Sequence, residues 1–217
     1  MNLHRIGGIA ALSGLLFGLC PGIAAATAQT QQWNFEVLLD DAVIGHHRYV
    51  VSETGADREL KAEARFEVKF LFISAYRYAH DVSERWRGNC LSGLGASTDD
   101  NGELSAVSLQ QQDGWLTIKS PQGQRSVAGC VMSFAYWNPE ILQQTRLLNA
   151  QTGKLEPITI TALGADNIIS RGRSVDARHY RISGPKHPID LWYGADQRWL
   201  ALQSTLDNGR ILRYRLK

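Results

Sequence analysis

The chain has 217 residues, with 23 Lys+Arg against 21 Asp+Glu for a net charge of +2. That near-neutral balance lacks the basic stripe a nucleic-acid partner would need, and so excludes nucleic acid as a partner class. The length suits one domain, and 44% hydrophobic residues are ample for a core.

Met1-Asn2-Leu3-His4-Arg5 opens the chain, and an uncharged stretch rich in Leu, Ala, Ile and Gly runs on to Ala26-Thr27-Ala28. A basic start, an apolar middle and a small-residue exit make a secretory signal. Residues 1–28 are therefore expected to be removed near Ala28, leaving 29–217 as a single β-rich domain, periplasmic or secreted. A retained anchor is the alternative, but the apolar run before Pro21 is about fifteen residues, short of the roughly twenty that span a bilayer. Leu19 stands where a lipoprotein signal has a small residue before its cysteine, so lipidation at Cys20 is the lesser reading. No later stretch is apolar enough to span a membrane, and the mature chain is expected to be soluble.

Cys90 and Cys130 remain after the leader. In an oxidising compartment an even pair is expected to close a disulfide. The loop of about 40 residues would contribute about 3–4 kcal/mol in the chain-entropy account. Two buried free thiols are the alternative, and no C-x-x-C supports thiol exchange.

Strands are expected near 33–39 and 43–52. The clearest periodicity follows: Leu60, Ala62, Ala64, Phe66, Val68 and Phe70 alternate with Lys61, Glu63, Arg65, Glu67 and Lys69. A period of two marks a strand with one wet and one buried face. Leu71-Phe72-Ile73 breaks the rhythm and suggests a bulge or bend. A second long strand spans 76–87, where Tyr76, Tyr78, His80, Val82, Glu84 and Trp86 form the inward set. Further strands are expected near 91–98, 104–110, 115–119, 125–129 and 131–136, punctuated by turn sequences such as Asp113-Gly114.

Asn138, Pro139 and Glu140 then supply an N-cap, a first helical residue and an acidic first turn. Ile141, Leu142, Thr145 and Leu148 fall at helical spacing, so one short helix is expected over about 139–148. Strands resume near 155–162, 167–171, 177–183, 188–193, 198–206 and 210–216, with Gly164 and Gly172 as turns. The fold class is all-β, a curved antiparallel sheet or open barrel carrying that helix.

Several residues carry candidate chemistry. His80 and Glu84 share an inward face but lie about 13 Å apart along the strand, so each needs a partner from elsewhere. His46 and His47 face opposite sides and cannot chelate one ion. His47 shares a face with Gly45, Tyr49 and Val51, and no ligand-spaced Cys or Asp joins it and His80, so no metal and no cofactor are expected. Tyr136 and Trp137, at the entry to the expected helix, either line an apolar pocket or dock the helix. Asp190 and Trp192 share one face, where Asp190 either forms a salt bridge or meets a polar ligand. His179 and His187 say little. Nucleophile-elbow, zinc-protease, P-loop and dinucleotide motifs are all absent.

The run Ile44-Gly45-His46-His47-Arg48-Tyr49, then Tyr76 to His80 with Glu84-Arg85-Trp86, then Cys130 to Pro139, resembles an exported bacterial family known as a domain of unknown function. Leu147 to Gly153 and Ile189 to Tyr193 belong to the same resemblance, which covers most of the mature chain. It implies the compartment and an all-β fold, and names no chemistry. A more distant likeness is to periplasmic β-sheet proteins that cradle lipids in an open barrel, an analogy of fold.

These signs point to a non-catalytic periplasmic protein that binds a lipid-like or other apolar small molecule in the concave face of the sheet. His47, Tyr76, Tyr78, His80, Glu84, Trp86, Tyr136, Trp137, Asp190 and Trp192 would form its site. The alternatives are a lyase, isomerase or hydrolase using His80 and Glu84 as acid–base groups, and a cell-envelope assembly module with no cavity.

Overall fold

The computed structural model describes residues 29–70 and 73–217. The expected leader, Cys20 and the break at Leu71-Phe72 lie outside the described residues.

Eight strands run in succession: β1 Gln29–Leu39, β2 Ala42–Thr54, β3 Asp57–Phe70, β4 Ile73–Arg87, β5 Cys90–Asp100, β6 Glu103–Gln112, β7 Trp115–Ser120 and β8 Gly123–Ala128. A short strand pair, β9 Arg146–Leu148 and β10 Leu155–Pro157, follows. The chain ends in β11 Thr159–Ser170, β12 Arg173–Ser183, β13 Ile189–Tyr193, β14 Trp199–Thr205 and β15 Ile211–Leu216. Apart from β9 and β10, all join one antiparallel sheet in the order β11 to β15, then β1 to β8. β15 lies beside β1, so the first and last of the described strands are neighbours inside the sheet and its two free edges are β8 and β11. The sheet is not closed into a barrel.

Each strand follows the two-residue rhythm, which sends alternate side chains to opposite faces. The inner faces of β1–β7 and β12–β15 contribute to a single core, with Trp33, Phe35, Trp86, Leu109, Ile118, Leu191 and Trp199 among its buried members. A sheet can share one core across so many strands only by curling over it. Burial of each such side chain stabilises by about 1.5–3 kcal/mol.

Residues 129–158 connect the two free edges, and they fill the curl. The Cys90–Cys130 disulfide forms, with Cα atoms 5.0 Å apart. It fixes the start of this segment to β5, where the Leu91 amide also donates to the Val131 carbonyl at 2.9 Å. From there Met132, Trp137, Ile141, Leu147 and Leu148 are each at most 5% exposed. The segment is a plug inside the sheet.

Two expectations fail in this plug. The strand expected at 131–136 is absent, because the residues make single contacts with the sheet instead of a ladder; Ser133 forms one isolated bridge with Leu148. The helix expected at 139–148 is a 3-10 turn, Pro139–Gln143. Its start signals hold, since the Glu140 amide donates to Asn138 Oδ1 at 3.1 Å. It stops because the next backbone groups are drawn into other pairing: β9 pairs with β10, the Leu148 amide donates to Met132 O, and the Ile158 amide to Thr145 O.

Gly164 is not a turn either. It sits at a bulge inside β11, opposite His179, so the two strands expected at 155–162 and 167–171 are β10 and one continuous β11. Gly172 does turn, at φ 73° beside Arg171 at φ 50°. Among the described residues no helix is long and apolar enough to cross a membrane.

Candidate functional site

The antiparallel register lays the inner face out in rows. One row runs Leu216, Phe35, His47, Ala64, His80 and Thr98 across six strands. The next row toward the rim, where the 40–41, 101–102 and 207–209 turns lie, runs Tyr214, Val37, Gly45, Phe66, Tyr78 and Asp100. On the opposite side, toward the Cys90 end, lie Glu84 and Trp86 and most of the plug. Thus the plug packs one half of the concave side, and aromatic rings line the other.

His47 is 9% exposed. Its Nδ1 lies 3.1 Å from the Tyr214 hydroxyl and 3.2 Å from the Tyr49 hydroxyl, and its ring stacks on Tyr49 at 4.2 Å. Burial first, then the neighbouring His80 and His46, push its pKa down to about 3, so the imidazole is neutral. Gly45, which precedes it by two residues, has its backbone against β3; a Cβ there would stand 1.9 Å from the Arg65 carbonyl oxygen.

Phe66 stacks on Tyr78 at 5.2 Å, and Phe35 packs on Trp199 at 4.3 Å. Trp199 also faces Tyr136 at 5.4 Å. Phe66, Tyr78, Tyr136 and Tyr214 keep part of their surface accessible. Desolvation nevertheless raises the pKa values of Tyr78, Tyr136 and Tyr214, so their hydroxyls stay un-ionised. Tyr76 sits nearer the rim, its hydroxyl donating to Asp100 Oδ1 at 2.7 Å.

His80 and Glu84 are inward and buried as the alternation implies, but each is already engaged. His80 Nδ1 is 2.8 Å from Thr98 Oγ1. Burial lowers its pKa, while a hydrogen bond to the Ser97 backbone opposes that shift. Glu84, 3% exposed, accepts from Trp86 Nε1 at 2.9 Å, and the plug's Ser133 lies against the same carboxyl. Burial raises the Glu84 pKa to about 7, with Ser133 and Trp86 pulling the other way. Trp86 meets Trp137 edge-on, so Trp86 and Trp137 anchor the plug and do not line the aromatic half. Tyr136 contributes a ring to the wall, and its carbonyl accepts from the Tyr193 hydroxyl at 2.7 Å.

Asp190 and Trp192 share a face, and it is the outer one. Leu191 and Tyr193 take the inward positions of β13. Asp190 receives Arg181 Nε and Nη2 at 2.7 and 2.8 Å and lies 3.4 Å from His179 Nε2. Trp192 stacks on His179 at 4.3 Å and donates to Asp166 Oδ2. Both are therefore remote from the concave side. Sequence reasoning missed Phe66 and Tyr214 as wall residues; the alternation around each was visible, but their meeting with His47 depends on the β15–β1–β2–β3 order.

Two shallow grooves also form on the outer side. One, about 580 Å³, lies between Arg48, Lys61, Glu63, Asp81 and Ser97. The other, about 530 Å³, is bordered by Arg65, Glu67, Arg77 and Asp99. Both carry mixed charge, with Arg65–Asp81 and Arg77–Glu67 ion pairs along them.

The family described as a domain of unknown function, DUF6134, matches residues 35–217. No curated protein matches the chain. Among solved structures, a beta-barrel-like protein of domain of unknown function DUF1849 from Brucella abortus is similar, with a TM-score of 0.64 at 12% identity. The likeness covers 89% of this chain and 98% of that one. At such identity it speaks for the fold alone.

Proposed function

The chain belongs to the DUF6134 family, and from that premise we propose that it is an exported, non-catalytic protein that binds a lipid-like or otherwise apolar molecule in the concave face of its sheet. The observation that carries this reading is the aromatic half of the curl. Phe66, Tyr78, Tyr136 and Tyr214 hang on the inner side and remain partly accessible beside a plug that packs the other half. Apolar walls with a few placed polar groups are the usual make-up of a small-molecule site. The Cys90–Cys130 disulfide supports a periplasmic or secreted setting, since such bonds persist in oxidising compartments. His80 and Glu84 gain no support as an acid–base pair, because Thr98 engages one and Trp86 the other.

Native mass spectrometry of the full chain isolated from its own cell envelope tests the proposal. The expected result is a co-purifying adduct that organic extraction removes. A bare protein mass under gentle conditions, together with no uptake of a fluorescent fatty acid, would overturn it.

A second reading rests on β11. This edge strand is twelve residues long with Asp166 as its sole charge, and it exposes Leu163 at 44% and Ile169 at 65%. Edges that long and apolar are ordinarily covered or charged, and an uncovered one suits strand addition by a partner. Light scattering on wild type and Ile169→Lys would test it, with a self-associating wild type and a monomeric variant as the supporting pair.

A further inference from the structure

We propose that His47 is the head-group anchor of the concave site, donating from Nε2 to an oxygen acceptor, so that the bound molecule is an apolar chain carrying a carboxyl or ester carbonyl. This rests on the reading above and specifies its ligand.

Tyr49 is buried at 5% exposure and Tyr214 is half-buried. Tyr49 and Tyr214 each need an acceptor, and among the described residues the one acceptor either reaches is His47 Nδ1. If Nδ1 carried the proton, the Tyr49 hydroxyl, in a residue 5% exposed, would lie in the interior with nothing to donate to, at about 1–3 kcal/mol. Nδ1 is therefore the acceptor, and the neutral ring bears its proton on Nε2.

Nε2 has no hydrogen-bond or ion-pair partner among the described residues, and in a residue only 9% exposed this nitrogen keeps some accessible surface of its own. Nδ1 has a single lone pair, so one of the two tyrosine hydroxyls is also left short of a full bond. The site thus offers an accessible N–H donor and a hydroxyl short of a full bond. The small Ala64 stands opposite His47 on β3. Phe66, Tyr78 and Tyr214, one row nearer the rim, offer apolar surface for a chain leading away from that point.

Donors without acceptors select for an acceptor. An ammonium head group would bring more donors and a charge into an aromatic setting whose histidine is itself neutral. A plain hydrocarbon would leave Nε2 unpaired. A carboxyl or ester oxygen answers the site directly.

Calorimetric titration of the full chain with dodecanoate, methyl dodecanoate, dodecylamine and dodecane tests this. Dodecanoate, its methyl ester, or both are expected to bind at least tenfold more tightly than the amine and the alkane, and their ratio assigns carboxyl or ester as the natural head. His47→Phe, which keeps an aromatic ring, is expected to bring all four within about twofold of one another. Should that variant fold poorly, the double variant Tyr49→Phe with Tyr214→Phe, which leaves no hydroxyl to hold Nδ1 as acceptor, is expected to narrow the preference by at least threefold. Equal binding of all four to wild type, or a preference that survives in the folded variant, overturns the anchor while leaving an apolar site intact. Binding of none of the four overturns the anchor and the binding proposal together.

Discussion

Trp137 stands edge-on to Trp86, ring centroids 5.5 Å apart and planes at 85°. The guanidinium of Arg58 lies over the Trp137 ring, 5.0 Å from its centroid. Trp137 is thus the point at which the plug is held to β3 and β4. Its indole N–H is buried without a hydrogen-bond partner among the described residues. Trp137→Ala is expected to destabilise by about 3–5 kcal/mol in urea denaturation. Trp137→Phe keeps most of the packing and removes the unpaired N–H, so it should cost clearly less. Equal losses in the two variants would show that packing is not what Trp137 contributes.

Two buried titratable groups of the core, Glu84 and His47, have opposite effects on stability. Glu84 has its pKa raised from 4.5 to about 7, so the folded chain holds a proton that the unfolded chain releases. Its contribution is complete below pH 4.5 and is lost as pH rises through 7, on the order of 3 kcal/mol. His47 has its pKa lowered from 6.5 to about 3. Its contribution is complete above pH 6.5 and is lost as pH falls toward 3, on the order of 5 kcal/mol. Between pH 4.5 and 6.5 the slopes oppose each other. Denaturation across that window should show stability rising with pH in Glu84→Gln and falling with pH in His47→Phe. Parallel profiles in the two variants would contradict these assignments.

The disulfide closes a 40-residue separation and fixes the plug at its entry. Cys90→Ser with Cys130→Ser is expected to lose about 2–5 kcal/mol. Because Leu91 and Val131 stay hydrogen-bonded beside it, far-UV circular dichroism should remain that of a β protein. Loss of the β spectrum would mean that the covalent link, and not the packing, holds the plug in place.

Gly45→Ala should fail more severely than any of these. Its Cβ would stand 1.9 Å from the Arg65 carbonyl oxygen, a contact relieved only by parting β2 from β3. Poor recovery of folded protein is the expected outcome, against Gly95→Ala on the outer face, where a Cβ meets nothing within 4 Å. Normal folding of Gly45→Ala would show that the two strands can separate there at little cost.

Much of this architecture was legible in residue order. The alternation over 60–70 and 76–87 gave β3 and β4, and it placed His80, Glu84 and Trp86 inward correctly. Alternation groups side chains by face but does not say which face is inner, and on β13 the large ring of Trp192 misleads where Leu191 and Tyr193 in fact point in. The plug was less legible. Of Ile141, Leu142, Thr145 and Leu148, only Ile141 and Leu148 are buried while Thr145 is exposed, so their helical spacing does not mark one buried helix face. His47 could be read as inward, but the tyrosine that holds it lies 167 positions away, a distance that only the meeting of β1 and β15 removes.

Chemical-shift mapping of the isotope-labelled full chain during titration with dodecanoate bears most directly on the claim that the concave side is the binding face. The account predicts perturbations gathered on His47, Phe66, Tyr78, Tyr136 and Tyr214. Perturbations confined to the outer groove around Arg48, Lys61 and Asp81, or none at saturating ligand, would contradict it.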